Sequence, residues 1–305
     1  MQFGEVTLYP VNGHGPEDVV VDAEGRVYTG VDDGRILRLS PDGQRIDVIA
    51  DTGGRPLGLE LYGDDELLIC DARAGLLVVP LPGGSPSVLA TSALGLDFVF
   101  CNNAAVAADG TIYFTDSSRR FGIANWRDDL IEQTAGGRLL RRTPDGSIDL
   151  LLDGLQFANG VALAPDESFV AVAETGACRV SRVWLDDGRS DVFVDGLGGF
   201  PDNIATGTDG LIWITQASPR VAALDVARRL PAFVRAGIRR LPTSLQPRPG
   251  REVGVLGVAP DGRVVHSYRG EIPGFRMLVG VREWRGRLYF GSLEESAIAV
   301  TPTIG

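Results

Sequence analysis

The chain contains no lysine, and that absence removes two kinds of chemistry at once. All 29 basic residues are arginines, so neither a Schiff-base lysine nor a P-loop lysine can be present. Histidine is scarce as well. His14 and His266 are the two in the chain, which excludes a three-histidine zinc site and leaves few options for a Ser-His-Asp triad. The three cysteines form no CxxC motif, which is typical of small buried residues in a reducing compartment.

Long apolar runs and excess positive charge are absent too. No segment reaches the roughly 18 apolar residues of a membrane-spanning helix, and the N-terminus lacks the basic and apolar regions of a signal peptide. Forty acidic and 29 basic side chains give a formal charge of −11, which disfavours a nucleic-acid partner. We therefore expect a cytoplasmic protein with a small-molecule substrate, no nucleic-acid partner and no membrane span. Its oligomeric state stays open.

Turn-forming residues are plentiful. Forty glycines and 18 prolines separate short segments rich in Val, Leu, Ile, Tyr and Phe, and helical periodicity is nearly absent. Segments such as DVVVDAEGRVYTG and IATGTDGLIWITQ are typical of two strands joined by a tight turn. Regular short strands of this kind predict an all-β fold.

An internal repeat selects the architecture. Six copies of the strand–turn–strand pattern begin at Glu17, Leu57, Asn102, Asn159, Asp202 and Leu278. Successive copies are 40, 45, 57, 43 and 76 residues apart, and the shorter spacings fit the period of about 40–45 residues of a four-stranded propeller blade. The sequence predicts a single six-bladed β-propeller domain over residues 1–305, with insertions at about 118–136 and 219–250.

Ring closure and the insertions follow from the same pattern. The strand near Val6–Val11 is predicted to pair with Ala297–Thr301, which would protect the edge of the last blade. Pro231 interrupts the helical pattern of the 219–250 insertion and predicts two short helices. The arginines of this insertion favour a solvated helix face, a lid over the channel or, less directly, a membrane contact. The 118–136 insertion could supply another wall.

The first positions of the six copies should form a ring, because the innermost strands of all blades start at one end of the channel. Four of them carry side-chain oxygens, namely Glu17, Asn102, Asn159 and Asp202. Such residues also cap turns, but a buried ring of them is costly unless a cation sits among them. Oxygen ligands favour Ca²⁺, with Mg²⁺, Mn²⁺ or Zn²⁺ as alternatives.

The motifs around these positions resemble those of the calcium-dependent phosphotriesterase superfamily of six-bladed propellers, which includes gluconolactonase (senescence marker protein), the paraoxonases and the strictosidine synthase-like proteins. They are GPED at Glu17, CNNA at Asn102, FANGVALAPD at Asn159 and FPDN at Asp202. The segments GRPLGL (54–59), YFTDSSRRF (113–121) and GRLLRRTPDG (137–146) resemble the strictosidine synthase-like branch in particular. The resemblance spans nearly the whole chain. It implies one catalytic divalent ion, usually calcium, held by the four ring residues.

The resemblance also implies secondary positions. Asn203 matches a further metal ligand of the paraoxonases, whereas Asp18 and Asn103 match the site of a second, structural calcium. Asn103 stands where that site usually has an aspartate, so a second calcium is not expected. The segment FRMLVGV (275–281) has no carboxylate where strictosidine synthase has its glutamate, which disfavours that condensation. Phe100 replaces an arginine that grips sugars in gluconolactonase-type proteins, which favours a hydrophobic substrate.

These observations predict a calcium-dependent lactonase or esterase. Asp202 would act as general base or nucleophile, with Glu17 as the second catalytic residue, while the cation polarises the carbonyl. The predicted pocket residues are Phe100, Arg55, Asp71 and His14. A cyclase, isomerase or bond-forming enzyme that uses the metal as Lewis acid is the first alternative. A non-catalytic propeller that serves as an interaction platform is the second.

Overall fold

A computed structural model of the protein describes residues 1–241, 246 and 249–304. Six four-stranded antiparallel sheets follow one another along the chain, and each is a blade that begins with its innermost strand. The predicted six-bladed propeller is confirmed. None of the helices in these ranges is long and apolar enough to cross a membrane.

Blades 1 to 3 occupy the first half of the chain. Blade 1 contains β2 to β5, at Val20–Val21, Val27–Gly30, Arg35–Leu39 and Ile46–Asp51. Blade 2 contains β6 to β9, at Pro56–Tyr62, Glu66–Asp71, Gly75–Pro80 and Ser87–Ala90. A small hairpin follows, with β10 and β11 at Ser92–Ala93 and Leu96–Asp97. Blade 3 contains β12 to β15, at Cys101–Val106, Ile112–Asp116, Gly137–Arg142 and Ile148–Leu155.

Blades 4 to 6 complete the ring. Blade 4 contains β16 to β19, at Ala158–Leu163, Phe169–Glu174, Arg179–Trp184 and Ser190–Val194. Blade 5 contains β20 to β23, at Gly199–Thr206, Ile212–Pro219, Val253–Val258 and Val264–Gly270. Blade 6 contains β24 to β26, at Leu278–Trp284, Arg287–Ser292 and Ala297–Pro302, together with β1 at Thr7–Pro10.

The ring closes through the two ends of the chain. Strand β1 pairs antiparallel with β26, with Thr7 opposite Val300 and Pro10 opposite Ala297. This is the pairing that the sequence predicts. It gives the last blade its fourth strand, so β26 does not present an unpaired edge.

Within the described ranges the α-helices lie in the two insertions, and a short 3₁₀ turn at Thr175–Ala177 lies between β17 and β18. A 3₁₀ turn at Ile123–Asn125 and helix α1 at Trp126–Glu132 belong to the first insertion. Helices α2 at Ala222–Ala227 and α3 at Ala232–Arg239 belong to the second. Pro231 directly precedes α3, with a φ of −56°, which suits the start of a helix. Part of the predicted second insertion, residues 242–245 and 247–248, lies outside the described residues.

The apolar core is divided among the interfaces between blades. Each of six buried clusters combines side chains of two neighbouring blades. In one of them Leu67 and Ile69 of blade 2 pack with Tyr28 and Ile36 of blade 1. His266 lies outside the channel and stacks on Trp213 with ring centroids 5.5 Å apart. The blades therefore hold one another in place by burial of apolar surface.

Candidate functional site

A cavity of about 880 Å³, counting its solvent-open mouth, lies at one end of the channel. Five of the six predicted ring positions line it, namely Glu17, Leu57, Asn102, Asn159 and Asp202. The sixth prediction is wrong by one residue. Val279 lines the cavity, whereas Leu278 is buried in the core between blades 5 and 6. The hairpin of blade 6 is one residue shorter than that of blade 3, since Val281 pairs with Phe290 whereas the equivalent Ala104 pairs with Phe114. An alignment on the turn is therefore out by one residue, which puts the neighbouring side chain, on the other face of the strand, in the ring position.

Glycines set how closely the inner strands approach around the channel. They lie directly after the ring position on blades 2, 4 and 6, at Gly58, Gly160 and Gly280. A Cβ at Gly160 would lie 2.6 Å from the Asn203 Cα, and the other two glycines meet Asn103 and Asp18 in the same way. No larger residue fits these contacts. The sequence analysis missed this alternation, although the glycine after every second ring position was its visible signal.

The two ring asparagines are held in one orientation by hydroxyl groups. Asn102 Nδ2 donates to Ser117 Oγ at 2.8 Å, and Asn159 Nδ2 donates to Thr175 Oγ1 at 3.1 Å. Both hydroxyls donate their own proton to a backbone carbonyl of the next blade, so each hydroxyl oxygen must accept from the amide. The Oδ1 atoms of both asparagines are buried and have no hydrogen-bond partner among the described residues. A buried acceptor left unpaired costs about 1–3 kcal/mol, so the two oxygens are suited to a ligand.

The ring carboxylates repel each other. Burial raises the pKa of Glu17 well above its usual range, and the charges of Asp18 and Asp202 raise it further. Burial also raises the pKa of Asp202 to about 7, against a lowering effect of the Asn159 amide. Arg55 and Asn203 lower the Glu17 pKa only partly. A positive charge among these residues would therefore offset the repulsion between the two carboxylates.

The donor set fits a hard cation. It consists of two carboxylates and two amide oxygens that line one cavity, which are ligands typical of calcium. The described part of the chain contains no group of three or more His, Cys, Asp or Glu side chains that could hold a metal. The mixed carboxylate and amide ring suits an oxygen-preferring ion.

The positions matched to a second calcium are occupied by protein hydrogen bonds. Asp18 Oδ2 accepts from the Leu59 backbone N–H at 3.1 Å and from Asn103 Nδ2 at 3.2 Å. Asn103 Oδ1 accepts from the Val161 N–H at 2.9 Å. The Asn103 side-chain amide thus links neighbouring blades at the position where a second cation would lie. Asn203 instead supports the ring, since its Nδ2 lies 3.2 Å from both carboxylate oxygens of Glu17.

The walls of the cavity are apolar. They include Leu57, Phe100, Leu130, Phe157, Phe200 and Met277. Phe100 lies on the wall as predicted, with its ring edge-on to Phe157 at 5.4 Å between centroids. Both insertions form a roof over the ring, since α1 contributes Trp126 and the second insertion contributes Leu224. The cavity is therefore polar at its floor and hydrophobic elsewhere.

An ion-pair cluster joins the two insertions at the roof. Glu132 on α1 accepts from Arg239 Nε on α3 at 2.6 Å and from Arg120 Nη1 at 2.5 Å. Arg239 also lies 3.4 Å from Asp128. Arg239 therefore does not belong to a solvated helix face, which was one interpretation of the arginine cluster. Glu132 is only 8% exposed, so this contact is stronger than an ordinary surface pair.

Three predicted pocket residues lie outside the cavity wall. Asp71 is buried and caps a turn, because its Oδ1 accepts the backbone N–H groups of Arg55 and Arg73. His14 Nδ1 lies 2.6 Å from Asp32 Oδ2 on the surface. Arg55 lines a neighbouring compartment rather than the main cavity. The sequence assigned all three to the substrate pocket, but the direction of each side chain depends on contacts with other blades.

Fold and site together define a six-bladed propeller with an oxygen-lined cavity at one end of its channel. The chain matches the family model for strictosidine synthase over residues 102–188 and the model for the strictosidine synthase-like N-terminal region over residues 4–39. It is 32% identical over 289 residues to Protein STRICTOSIDINE SYNTHASE-LIKE 6 of Arabidopsis thaliana, covering 93% of this chain and 77% of that protein. The chain belongs to the strictosidine synthase-like family, as its motifs indicate.

Two solved structures share the fold at low identity. A gluconolactonase from Xanthomonas campestris aligns with a TM-score of 0.71 at 18% identity, covering 99% of this chain and 91% of that one. Regucalcin from Agrobacterium tumefaciens, described as a calcium-binding protein, aligns with a TM-score of 0.65 at 16% identity, covering 96% of this chain and 94% of the other. At these identities the likeness establishes the fold alone.

Proposed function

We propose that this protein is a metal-dependent hydrolase of lactones or related esters. The observation that carries the proposal is the pair of buried amide oxygens, of Asn102 and Asn159, which lack partners in the described residues and line one cavity with Glu17 and Asp202. These four residues would hold one divalent cation, with calcium favoured by the oxygen ligands. Two solved structures with this fold are described as a gluconolactonase and a calcium-binding protein, which is compatible with this proposal.

The ring residues divide the chemical work. When bound, the cation polarises the ester carbonyl and acidifies water. Asp202 accepts the proton of the attacking water, or attacks the acyl carbon directly, because it is the carboxylate without a hydrogen bond to Asn203. In the general-base route the water oxygen joins the acyl carbon, the C–O bond of the ester breaks, and the leaving alkoxide takes the proton that Asp202 accepted from the water. In direct attack an Asp202 oxygen joins the acyl carbon as the alkoxide leaves, and water then cleaves the acyl–aspartate bond. Glu17, which Asn203 orients by a hydrogen bond and whose pKa the charge of Arg55 lowers, keeps the opposite side of the ring negative.

The apolar walls indicate the substrate class. Beyond the floor, the cavity presents mainly Leu, Ile, Val, Met, Phe and Trp side chains, and burial of apolar surface contributes about 25 cal/mol per Å². A small-molecule ester or lactone with a hydrophobic acyl or aromatic part fits such walls better than a sugar lactone does.

A bond-forming reaction is the second candidate, because the family is named for a synthase. No carboxylate occurs in residues 275–281, where Met277 and Val279 line the cavity. A reaction of this kind would therefore have to use the same ring as its Lewis-acid site.

The first experiment measures bound metal by elemental analysis of untagged protein purified without chelator. We expect about one calcium per chain, and hydrolysis of a panel of lactones and aryl esters that EDTA abolishes and calcium restores. The variant Asn102→Leu, which copies the ring residue of blade 2, should weaken calcium binding about tenfold or more. The surface variant Asn12→Ala serves as its control. Absence of any divalent ion after calcium has been added back would refute the proposal.

A further inference from the structure

The roof of the cavity contains an arginine, Arg127, that has no role in the proposed metal binding or ester hydrolysis. Arg127, in the first turn of α1, is the single cationic side chain among the described residues that line the main cavity. Its guanidinium lies over the Trp126 ring, 5.2 Å from the centroid. It forms no ion pair within the described part of the chain. Since most arginines here pair with Asp or Glu, a half-buried arginine facing an apolar cavity favours an external partner.

The charge balance of the cavity gives the sign of that partner. Glu17 and Asp202 together carry two negative charges, and a divalent cation in the ring cancels them. Arg127 then leaves the cavity with one positive charge, although the whole chain carries a formal charge of −11. A ligand with one negative charge complements this cavity better than a neutral ligand does.

A neighbouring compartment extends the same positive potential. It has a volume of about 630 Å³, and Ile123, Trp126 and Leu293 line both it and the main cavity. Arg55 and Arg73 line the compartment together with Asp32. Arg55 Nη2 lies 3.0 Å from Asp32 Oδ1, so one arginine is neutralised there and Arg73 is not. Around Trp126, two arginines therefore have no carboxylate partner among the described residues, Arg127 beside the main cavity and Arg73 beside the compartment.

We propose that the substrate of this site is an amphiphilic monoanion. Its hydrophobic body lies against the apolar walls, and its anionic group, such as a carboxylate distant from the ester, pairs with Arg127 beside Trp126. The inference rests on the proposed function only in taking the cavity as the substrate site. It adds a specificity-determining residue and a charge requirement that the ring does not supply.

The first test measures binding and needs no catalysis. Calcium-loaded protein is titrated by calorimetry with octanoate and with 1-octanol at pH 8. We expect octanoate to bind about tenfold more tightly, the effect of one charge-assisted hydrogen bond, and added salt to reduce the difference. Equal affinity of the two ligands for the unmodified protein would overturn the inference.

The matched variants locate the effect. Arg127→Gln should remove the preference for octanoate while leaving 1-octanol binding within about twofold. Arg189→Gln is the control, because Arg189 also stacks on a tryptophan, with 5.6 Å to the Trp184 centroid, but lies on blade 4 outside the cavity. If Arg127→Gln weakened both ligands equally, the residue would have only a packing role and the inference would fail.

A kinetic test separates this inference from the proposed function. Mono-4-nitrophenyl suberate and 4-nitrophenyl octanoate have the same chain length and differ in a terminal carboxylate. We expect kcat/KM to be about tenfold higher for the suberate, and the advantage to vanish in Arg127→Gln. If the protein binds free octanoate more tightly than 1-octanol but hydrolyses neither ester, the ligand inference stands and the hydrolase proposal is refuted. If the protein hydrolyses both esters at equal rates, the hydrolase proposal stands and the ligand inference is refuted.

Discussion

At the scale of single residues, the side chains beneath the ring decide what the ring can bind. Ser117 and Thr175 accept from the amide nitrogens of Asn102 and Asn159, and so direct the amide oxygens away from those bonds. An asparagine without such a partner could present nitrogen as readily as oxygen. The ligand set is therefore a property of four residues rather than of two.

Asp202 offers the most direct test of the catalytic assignment. We expect Asp202→Asn to lower kcat by about 10²–10⁴, because an amide cannot accept the proton, while calcium at saturating concentration still binds. Stopped or continuous ester assays in excess calcium measure this change. The turn variant Asp195→Asn, whose carboxylate accepts from the Gly196 N–H and from no other group in the described ranges, should keep full activity. A fully active Asp202→Asn would remove Asp202 from the mechanism.

The raised pKa values of the ring predict a pH-dependent response to calcium. In metal-free protein, Asp202 has a pKa of about 7 and the Glu17 pKa is raised as well, so the folded state holds protons that the unfolded state has released. Their contribution to stability is present below the ordinary carboxyl pKa and is lost as the pH rises through about 7. Calcium needs the deprotonated carboxylates.

The rise in Tm on adding calcium should therefore be larger at pH 8 than at pH 5.5, as measured by thermal unfolding with EDTA and with calcium. The double variant Glu17→Gln with Asp202→Asn should flatten this dependence. An equal rise at both pH values in the unmodified protein would contradict the assignment of the two carboxylates.

At the scale of elements, strand β14 carries a buried and an exposed ion pair that can be compared directly. Arg138 Nη2 lies 2.6 Å from Asp116 Oδ2, and both side chains are at most 1% exposed. Asp116 also accepts the Phe100 backbone N–H at 2.8 Å and so positions the cavity wall. Arg141, on the same strand, pairs with Asp149 at 2.8 Å in solvent.

Arg138→Ala should lower the free energy of unfolding by about 3–5 kcal/mol, because it leaves a buried carboxylate without its partner. Arg141→Ala should cost no more than about 1 kcal/mol. Urea denaturation of both variants measures the difference. Similar small losses in the two would show that the β13–β14 pair does not depend on the buried bridge.

At the scale of the whole molecule, stability depends on closing the ring. Deletion of residues 1–10 removes β1, exposes the edge of β26 and takes Tyr9, 8% exposed, out of the core between blades 6 and 1. We expect a lower Tm and concentration-dependent aggregation. A peptide of residues 1–12 added in trans should raise the Tm again in proportion to its concentration. An unchanged Tm in the truncated protein would contradict the closure argument.

Much of this architecture could be read from local signals. Turn residues follow each repeat start at fixed offsets, so the six blades, and four of the side chains on the cavity floor, were predictable at Glu17, Asn102, Asn159 and Asp202. The family was predictable too, because its motifs surround the same positions. Pro231 marked the start of α3, since proline has a fixed φ and no N–H.

The remaining features depend on contacts between distant segments. Val279 rather than Leu278 lies on the cavity, because the hairpin of blade 6 is one residue shorter than that of blade 3, and the strand pairing rather than the turn sets the register. Asp71 turns inward because three backbone N–H groups meet there, and Glu132 meets Arg239 only because blades 3 and 5 bring their insertions together. By itself the sequence determined the repeat, the closure and the four polar residues of the ring, which follow from local periodicity. The tertiary structure decided which side chains face the cavity and what each one meets there, because burial and pairing join segments that are far apart along the chain.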